Sequence, residues 1–151
     1  MVNSAATGQV MTRDEARKFS ADWLPAWTGN NPQKVASFYT DDLFYSDPTM
    51  PDGIEGKSAF VAYLSKLLGN NPDWVWAQID AIPMEGGFVN KWKLDAPVGD
   101  KIVTCCGVCT VKFKEALICR NEVYFDTLPL LSVIASWNMR KRATSVSTHI
   151  S

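Results

Sequence analysis

The chain opens with apolar side chains at helical spacing. Thr12-Arg13-Asp14-Glu15 has the composition of a capping box, and apolar residues then recur every three or four positions as far as Trp27. Pro25 is expected to kink or end this helix. Asn31 and Pro32 predict the start of a second helix, with Asn31 as its N-cap and Pro32 in its first turn. Two helices are therefore predicted before the first strand.

The next segment alternates between apolar and polar residues up to a proline. In Leu43-Phe44-Tyr45-Ser46-Asp47, the side chains of Leu43, Tyr45 and Asp47 fall on one face of a strand. Pro48 keeps Asp47 extended, and a loop is predicted over residues 48–56. Asp47 is then a carboxylate on an otherwise apolar face. It is either a turn former at the strand end or the working group of a pocket.

A third helix and four strands are predicted after that loop. The helix has its apolar positions at Phe60, Val61, Tyr63, Leu64, Leu67 and Leu68. The pattern then changes to strands over residues 74–82, 88–94, 101–113 and 117–125, which short turns join into an antiparallel meander. Gly107, inside the longest strand, favours a bend, as expected for a sheet curled around a cavity.

Helices that come early and strands that come late predict an α+β fold with helices on one face of a curved sheet. A short closing element is predicted over residues 127–137. We expect a flexible N-terminus at residues 1–11, one domain at 12–136 and a C-terminal tail at 137–151, which carries a basic cluster of three residues.

Composition excludes several classes of function. The 151 residues carry a net charge of −1 without a basic stripe, so no nucleic-acid partner is expected. No apolar run is long enough to span a bilayer and no signal peptide is recognisable, so no membrane partner is expected. Four cysteines are expected to be buried reduced thiols in a cytoplasmic protein. His149 is the single histidine, so no metal site is expected.

The aromatic content is unusual for a chain of this length. Six Trp, four Tyr and seven Phe favour a roomy interior lined by rings, although a plain aromatic core is a fair alternative. Alternation along the later strands places Asn90 and Asn121 on the inner face, where each would either orient a ligand or be a satisfied buried amide.

Residues 38–48, Phe-Tyr-Thr-Asp-Asp-Leu-Phe-Tyr-Ser-Asp-Pro, followed by Gly53 and Glu55-Gly56-Lys57 before a helix, resemble the nuclear transport factor 2-like superfamily. Within it the chain is similar to the SnoaL-like polyketide cyclases, ketosteroid isomerases and limonene epoxide hydrolases. Residues 122–131 resemble the last strand and closing helix of that group. The resemblance implies a cone-shaped barrel, in which a curved antiparallel sheet wraps around three N-terminal helices and an internal pocket. It also implies a homodimer.

The resemblance assigns roles to single positions. Asp47 falls where ketosteroid isomerases have their proton-shuttling aspartate. Trp23 falls where those enzymes have an oxyanion-hole tyrosine, and Cys109 near their protonated aspartate. Against the limonene epoxide hydrolases, Tyr45 and Asp47 match a Tyr-x-Asn pair, while Trp92 and Val123 replace charged residues. For the SnoaL-like cyclases one acid on the pocket wall suffices, and Asp126 is a weaker second acid.

Asp47 and Tyr45 are therefore the predicted catalytic residues. The predicted substrate-binding residues are Trp23, Trp27, Trp76, Asn90, Trp92, Cys109, Asn121, Val123 and Phe125. The expected function is proton transfer, without a cofactor, on a small hydrophobic carbonyl compound. In that hypothesis Asp47 removes a proton next to the carbonyl, and Tyr45 or Asn121 polarises the oxygen. The alternative is a small-molecule-binding or dimerisation module without chemistry.

Overall fold

The first helix begins at the capping box that the sequence predicts. In a computed structural model that describes residues 10–148, with side chains described as far as residue 145, helix α1 spans Arg13–Trp23. The Glu15 amide donates to Thr12 Oγ1, and the Thr12 amide donates to the Glu15 carboxylate. A 3₁₀ turn at Leu24–Trp27 follows, because Pro25 cannot continue the α-helical hydrogen bonding.

The other elements come in the predicted order with one addition, strand β2. They are α2 (Pro32–Ala36), β1 (Tyr39–Asp47), β2 (Met50–Glu55), α3 (Lys57–Asn70), β3 (Val75–Met84), β4 (Gly87–Val98), β5 (Lys101–Lys114), β6 (Leu117–Phe125) and α4 (Leu128–Thr148). The sequence predicts a loop where β2 forms, since the segment contains Pro51 and Gly53. Both residues are tolerated because β2 is an edge strand that pairs with β1 alone.

The six strands form one curved sheet in the order β2-β1-β6-β5-β4-β3. Strands β3 to β6 are the predicted antiparallel meander. The prediction of a wholly antiparallel sheet is wrong at one place, because β1 runs parallel to β6. This pairing sets Tyr45 beside Asn121. The sheet is not closed, since β2 and β3 are its two edges.

Aromatic contacts pack the helices into the concave side of the sheet. Phe60 of α3 is fully buried, with its ring 4.7 Å from that of Tyr39 and 5.0 Å from that of Tyr45. On α1, the Phe19 ring meets Phe113 edge-on at 4.8 Å. Because such contacts tie both helices to the strands, the inner face keeps one arrangement and the ring positions around Asp47 are fixed.

The C-terminal helix is longer than the sequence indicates. The predicted tail begins at residue 137, whereas α4 continues to Thr148. Trp137 explains part of this, since its ring lies against the β4–β5 turn at Gly99, where φ is +64° and a Cβ atom would come within 2.6 Å of the indole. No helix among residues 10–148 is long and apolar enough to cross a membrane. His149 and most of the predicted flexible N-terminus lie outside the described residues.

Candidate functional site

A cavity of about 130 Å³ lies on the concave side of the sheet. Every predicted site residue except Asn90 lines it. Among the described residues the lining is Trp23, Leu24, Trp27, Tyr45, Asp47, Thr49, Tyr63, Leu67, Trp74, Trp76, Trp92, Leu94, Cys109, Asn121, Val123, Phe125, Thr127, Leu130 and Leu131. Five of the six tryptophans of the chain thus line one internal space.

Asp47 is buried at the end of β1 and accepts hydrogen bonds at both carboxylate oxygens. Its Oδ1 accepts from the Thr49 amide at 2.8 Å, the Thr49 hydroxyl at 2.7 Å and the Met50 amide at 2.9 Å. Its Oδ2 accepts from the Tyr45 phenol at 2.8 Å and from the Tyr63 phenol. A carboxylate offers about four lone-pair positions, so these donors occupy all of them. Asp47 is therefore a turn former that also lines the cavity, and its role as the working group of the pocket stays a prediction.

Two phenols that line the cavity donate hydrogen bonds to Asp47. Burial, together with the nearby Tyr63 and the negative charge of Asp47, raises the pKa of Tyr45 well above its usual value. Burial and the hydrogen bond donated to Asp47 raise the pKa of Tyr63 as well. Both groups therefore stay protonated at neutral pH, where they serve as hydrogen-bond donors rather than bases.

A series of aromatic rings in contact forms one wall of the cavity. The centroids of Trp74 and Trp76 are 5.7 Å apart, those of Trp76 and Trp27 are 5.9 Å apart, and those of Trp27 and Tyr45 are 6.0 Å apart. Tyr45 and Tyr63 continue the series at 5.6 Å. The wall thus runs without interruption from β3 to the hydroxyl groups that hold Asp47.

The two inner-face asparagines have different positions. Asn121 lines the cavity and donates from Nδ2 to the Tyr39 hydroxyl at 2.9 Å, while its Oδ1 has no partner among the described residues. Asn90 lies outside the lining, where it accepts from the Ser20 hydroxyl at 2.8 Å, so it belongs to the core under α1. Trp27 Nε1 is also buried without a partner in the described part of the chain. The lining thus contains three polar atoms that are buried without a partner among the described residues, namely Asn121 Oδ1 and the indole nitrogens of Trp23 and Trp27.

The family model for the SnoaL-like domain matches residues 20–121. The chain belongs to this family. The match covers α1 after its first two turns, the strand that carries Asp47 and most of the meander, so the SnoaL-like assignment and the nuclear transport factor 2-like fold rest on the same elements. No curated protein matches the chain at a significant level.

Solved structures of the same fold include proteins from several bacteria. A protein with a ketosteroid isomerase-like fold from Catenulispora acidiphila, in complex with trimethylamine, has a TM-score of 0.70 and 12% identity over 78% of this chain and 92% of its own. A candidate SnoaL-like polyketide cyclase from Jannaschia sp. CCS1 has a TM-score of 0.69 and 12% identity over 84% and 97%. A candidate hydroxylase from Streptomyces galilaeus has a TM-score of 0.67 and 12% identity over 83% and 98%. At these identities the likeness concerns the fold.

The cysteines of this SnoaL-like chain are all unpaired. Cys109 lines the cavity, and burial raises the pKa of its thiol to about 12, so it is not a nucleophile at neutral pH. Cys105 is buried, whereas Cys106 is exposed, which corrects the expectation that all four thiols are buried. No group of three or more His, Cys, Asp or Glu side chains within residues 10–148 is placed to hold a metal ion.

Sequence reasoning missed the second phenol and misplaced the second acid. Tyr63 was expected only on the apolar face of α3, 16 residues from Asp47, so no local pattern connects the two. Thr49 follows Asp47 by two residues, which is the spacing of an Asx turn and was a usable signal. Asp126 does not line the cavity. It accepts from the Leu128 amide at 3.0 Å and caps the start of α4.

Proposed function

We propose that this SnoaL-like protein binds a small molecule with a largely apolar outer surface in the cavity. In this proposal Asp47, Tyr45 and Tyr63 form its polar end. The observation that carries it is the lining itself, in which aromatic and aliphatic walls surround one hydrogen-bonded carboxylate. Small-molecule sites have this composition, with mostly apolar walls and a few polar groups that fix orientation.

The size of the cavity limits the ligand. At about 130 Å³ it is close to engineered cavities of about 150 Å³ that hold a benzene ring. The ligand is then a molecule of about one ring. The trimethylamine complex of the Catenulispora acidiphila protein supports this range, since a protein of this fold binds a molecule of that size.

A ligand panel with a matched pair of variants tests the binding proposal. Neutral one-ring ketones, lactones and phenols are expected to raise the melting temperature in a saturable manner, because a ligand that binds only the native state stabilises it. Val123→Phe fills the cavity and should abolish the shift. Val75→Phe places the same side chain at an exposed strand position and should leave it unchanged. A panel without any effect on the wild-type protein, or an undiminished shift in Val123→Phe, would contradict the proposal.

Proton transfer is the second candidate, and the division of donors between the two carboxylate oxygens favours it. Backbone amides hold Oδ1 in place, whereas side-chain phenols alone hold Oδ2. If a phenol turns its O–H toward a substrate carbonyl, a lone pair on Oδ2 becomes free. Oδ2 then takes a proton from the carbon next to the carbonyl, the electron pair moves to the carbonyl oxygen, and the phenol stabilises the resulting enolate.

Exchange of carbon-bound hydrogen tests this candidate without knowledge of the substrate. In D₂O, ketones that bind are expected to exchange their α-hydrogens for deuterium faster than in buffer, as measured by proton NMR. Asp47→Asn should reduce the exchange to the buffer rate while the ketone still binds. Exchange that persists in Asp47→Asn with intact near-UV circular dichroism would exclude Asp47 as the base.

A further inference from the structure

The cavity carries one uncompensated negative charge. Among the described residues, Asp47 is the single formally charged side chain in the lining, and the lining contains no Lys, Arg or His. Among residues 10–148 no cationic side chain forms an ion pair with the Asp47 carboxylate. All of its partners are dipoles, which stabilise a charge without neutralising it. In a poorly solvated cavity such a charge attracts a cation more strongly than it would in water.

The aromatic wall favours a cation for an independent reason. The faces of aromatic rings are negative, and a cation within about 6 Å of a ring centroid is attracted, most strongly by Trp. Five rings in contact, those of Trp74, Trp76, Trp27, Tyr45 and Tyr63, run along the cavity and end at Asp47. The attraction of the rings and the attraction of the carboxylate therefore act in the same space.

The hydrogen bonds of Asp47 decide which kind of cation fits. A primary ammonium has three N–H groups that need acceptors, but donors already occupy both oxygens of the carboxylate. Asn121 Oδ1, the unpartnered side-chain oxygen among the described lining residues, is itself fully buried and offers no exposed surface to a ligand. A cation without N–H groups, or with a single one, avoids the cost of unsatisfied donors.

We propose that the ligand of this cavity is a small alkylated ammonium ion, quaternary or tertiary, enclosed by the rings with Asp47 as its counter-charge. The inference rests on the proposed small-molecule function and names its ligand class. The methyl groups of such an ion present the apolar outer surface that the walls require, and its charge meets the carboxylate through space rather than through a hydrogen bond.

A pair of probes of equal shape tests the charge directly. Choline and 3,3-dimethyl-1-butanol differ in having nitrogen or carbon at the centre of the same branched group, so their affinities compare charge at constant size. We expect choline to bind about tenfold or more tightly in calorimetry, from the cation–π and carboxylate attractions together. Equal or tighter binding of the neutral alcohol overturns the ammonium proposal and leaves the small-molecule proposal standing. If both probes and the neutral one-ring panel fail to bind, both proposals fail.

Two aspartate variants locate the effect. In Asp47→Asn the amide oxygen can still accept from Thr49 and Met50, so the turn is kept while the charge is lost. The advantage of choline over the alcohol should then fall several-fold, to the part that the cation–π attraction supplies alone, while the alcohol binds as before. Asp100→Asn removes the same charge from an exposed turn and should leave the ratio unchanged. If the ratio of choline affinity to alcohol affinity is preserved in Asp47→Asn, or is lost equally in both variants, Asp47 is not the counter-charge. The comparison of choline with the alcohol uses the wild-type protein, so it tests the proposal even if a variant fails to fold.

Discussion

At the scale of single residues, the chemistry of the site depends on how the donors around Asp47 are held. Thr49 and Met50 supply backbone amides that cannot leave without unfolding the turn. Tyr45 and Tyr63 supply hydroxyl groups that can rotate. The backbone hydrogen bonds to Oδ1 are therefore fixed by the fold, whereas the phenol hydrogen bonds to Oδ2 can change. Whether the site only binds or also transfers a proton depends on the second oxygen.

Because several phenols are buried, we expect the free energy of unfolding to fall at alkaline pH. Burial raises the pKa of Tyr39 and Tyr45 far above the unfolded value of about 10. Their contribution is complete below about pH 10 and is lost as the pH rises, because the unfolded chain then loses protons that the folded chain keeps. Above that pH each of these two phenols should lower the free energy of unfolding by up to about 1.4 kcal/mol per pH unit.

Phenolate absorbance and near-UV circular dichroism, recorded through one alkaline titration, check this prediction. Ionisation of the buried phenols should coincide with loss of the aromatic dichroism. Tyr63→Phe removes a phenol whose pKa is also raised, so it should make the decline of stability with pH less steep. Formation of all the phenolates within a native dichroism spectrum would show that these side chains are accessible to solvent.

At the scale of elements, the packing in the middle of the sheet leaves room for the indole ring of Trp92. Gly107 of β5 lies between Trp92 of β4 and Phe125 of β6, whose rings are 5.3 Å apart and both line the cavity. A Cβ atom at Gly107 would collide with the Trp92 ring and come within 2.8 Å of Phe125 Cβ. The sequence predicts a bend here because of the glycine. The structure shows that the missing side chain leaves room for the Trp92 ring.

Alanine substitutions at two glycines distinguish the loss of space for Trp92 from the general effect of alanine on backbone freedom. Gly107→Ala should displace Trp92, cost about 1–3 kcal/mol of stability and weaken ligand binding. Gly69→Ala lies on α3 with nothing within 4 Å of the added methyl, and it should be neutral or stabilising by up to about 1 kcal/mol. Denaturant unfolding with the ligand panel measures both. A Gly107→Ala protein as stable and as tight in binding as the wild type would contradict the packing argument.

At the scale of the whole molecule, long-range pairings assemble the site from both ends of the chain. The parallel pairing of β1 with β6 brings Tyr45 next to Asn121. The start of α4 then supplies Leu130 and Leu131 to the lining, and Trp137 fixes the helix on the β4–β5 turn. The cavity is thus complete only when β6 has paired with the first strand and the start of α4 has packed against the sheet, as expected for a fold rich in nonlocal contacts.

The outer face of the sheet carries a surface that the site does not use. Exposed apolar side chains occur there on several strands, and the Arg120 guanidinium lies 4.1 Å from the centre of the Phe44 ring and forms an ion pair with Glu122 at 2.7 Å. Homodimerisation through the sheet, which the family resemblance implies, stays a prediction for this chain.

The sequence by itself determined the elements whose causes are local. The capping box at Thr12, the turn signals between strands and the alternation Leu43, Tyr45, Asp47 depend on neighbours within a few residues, so they could be predicted. The aromatic lining was also foreseeable, because alternation fixes which strand residues point inward. The family resemblance supplied the fold that places these residues around one cavity.

Tertiary structure alone decided the state of Asp47. Its two phenols come from β1 and from α3, and the second is visible in sequence only as one more apolar helical position. The β2 strand, the parallel pairing of β1 with β6 and the exclusion of Asn90 from the cavity depend likewise on contacts between distant segments. Local sequence patterns predict which face of a strand or helix a side chain occupies. They do not predict which hydrogen-bond donors a distant helix or strand places beside that side chain. Such donors make Asp47 a fully hydrogen-bonded charge in an aromatic cavity.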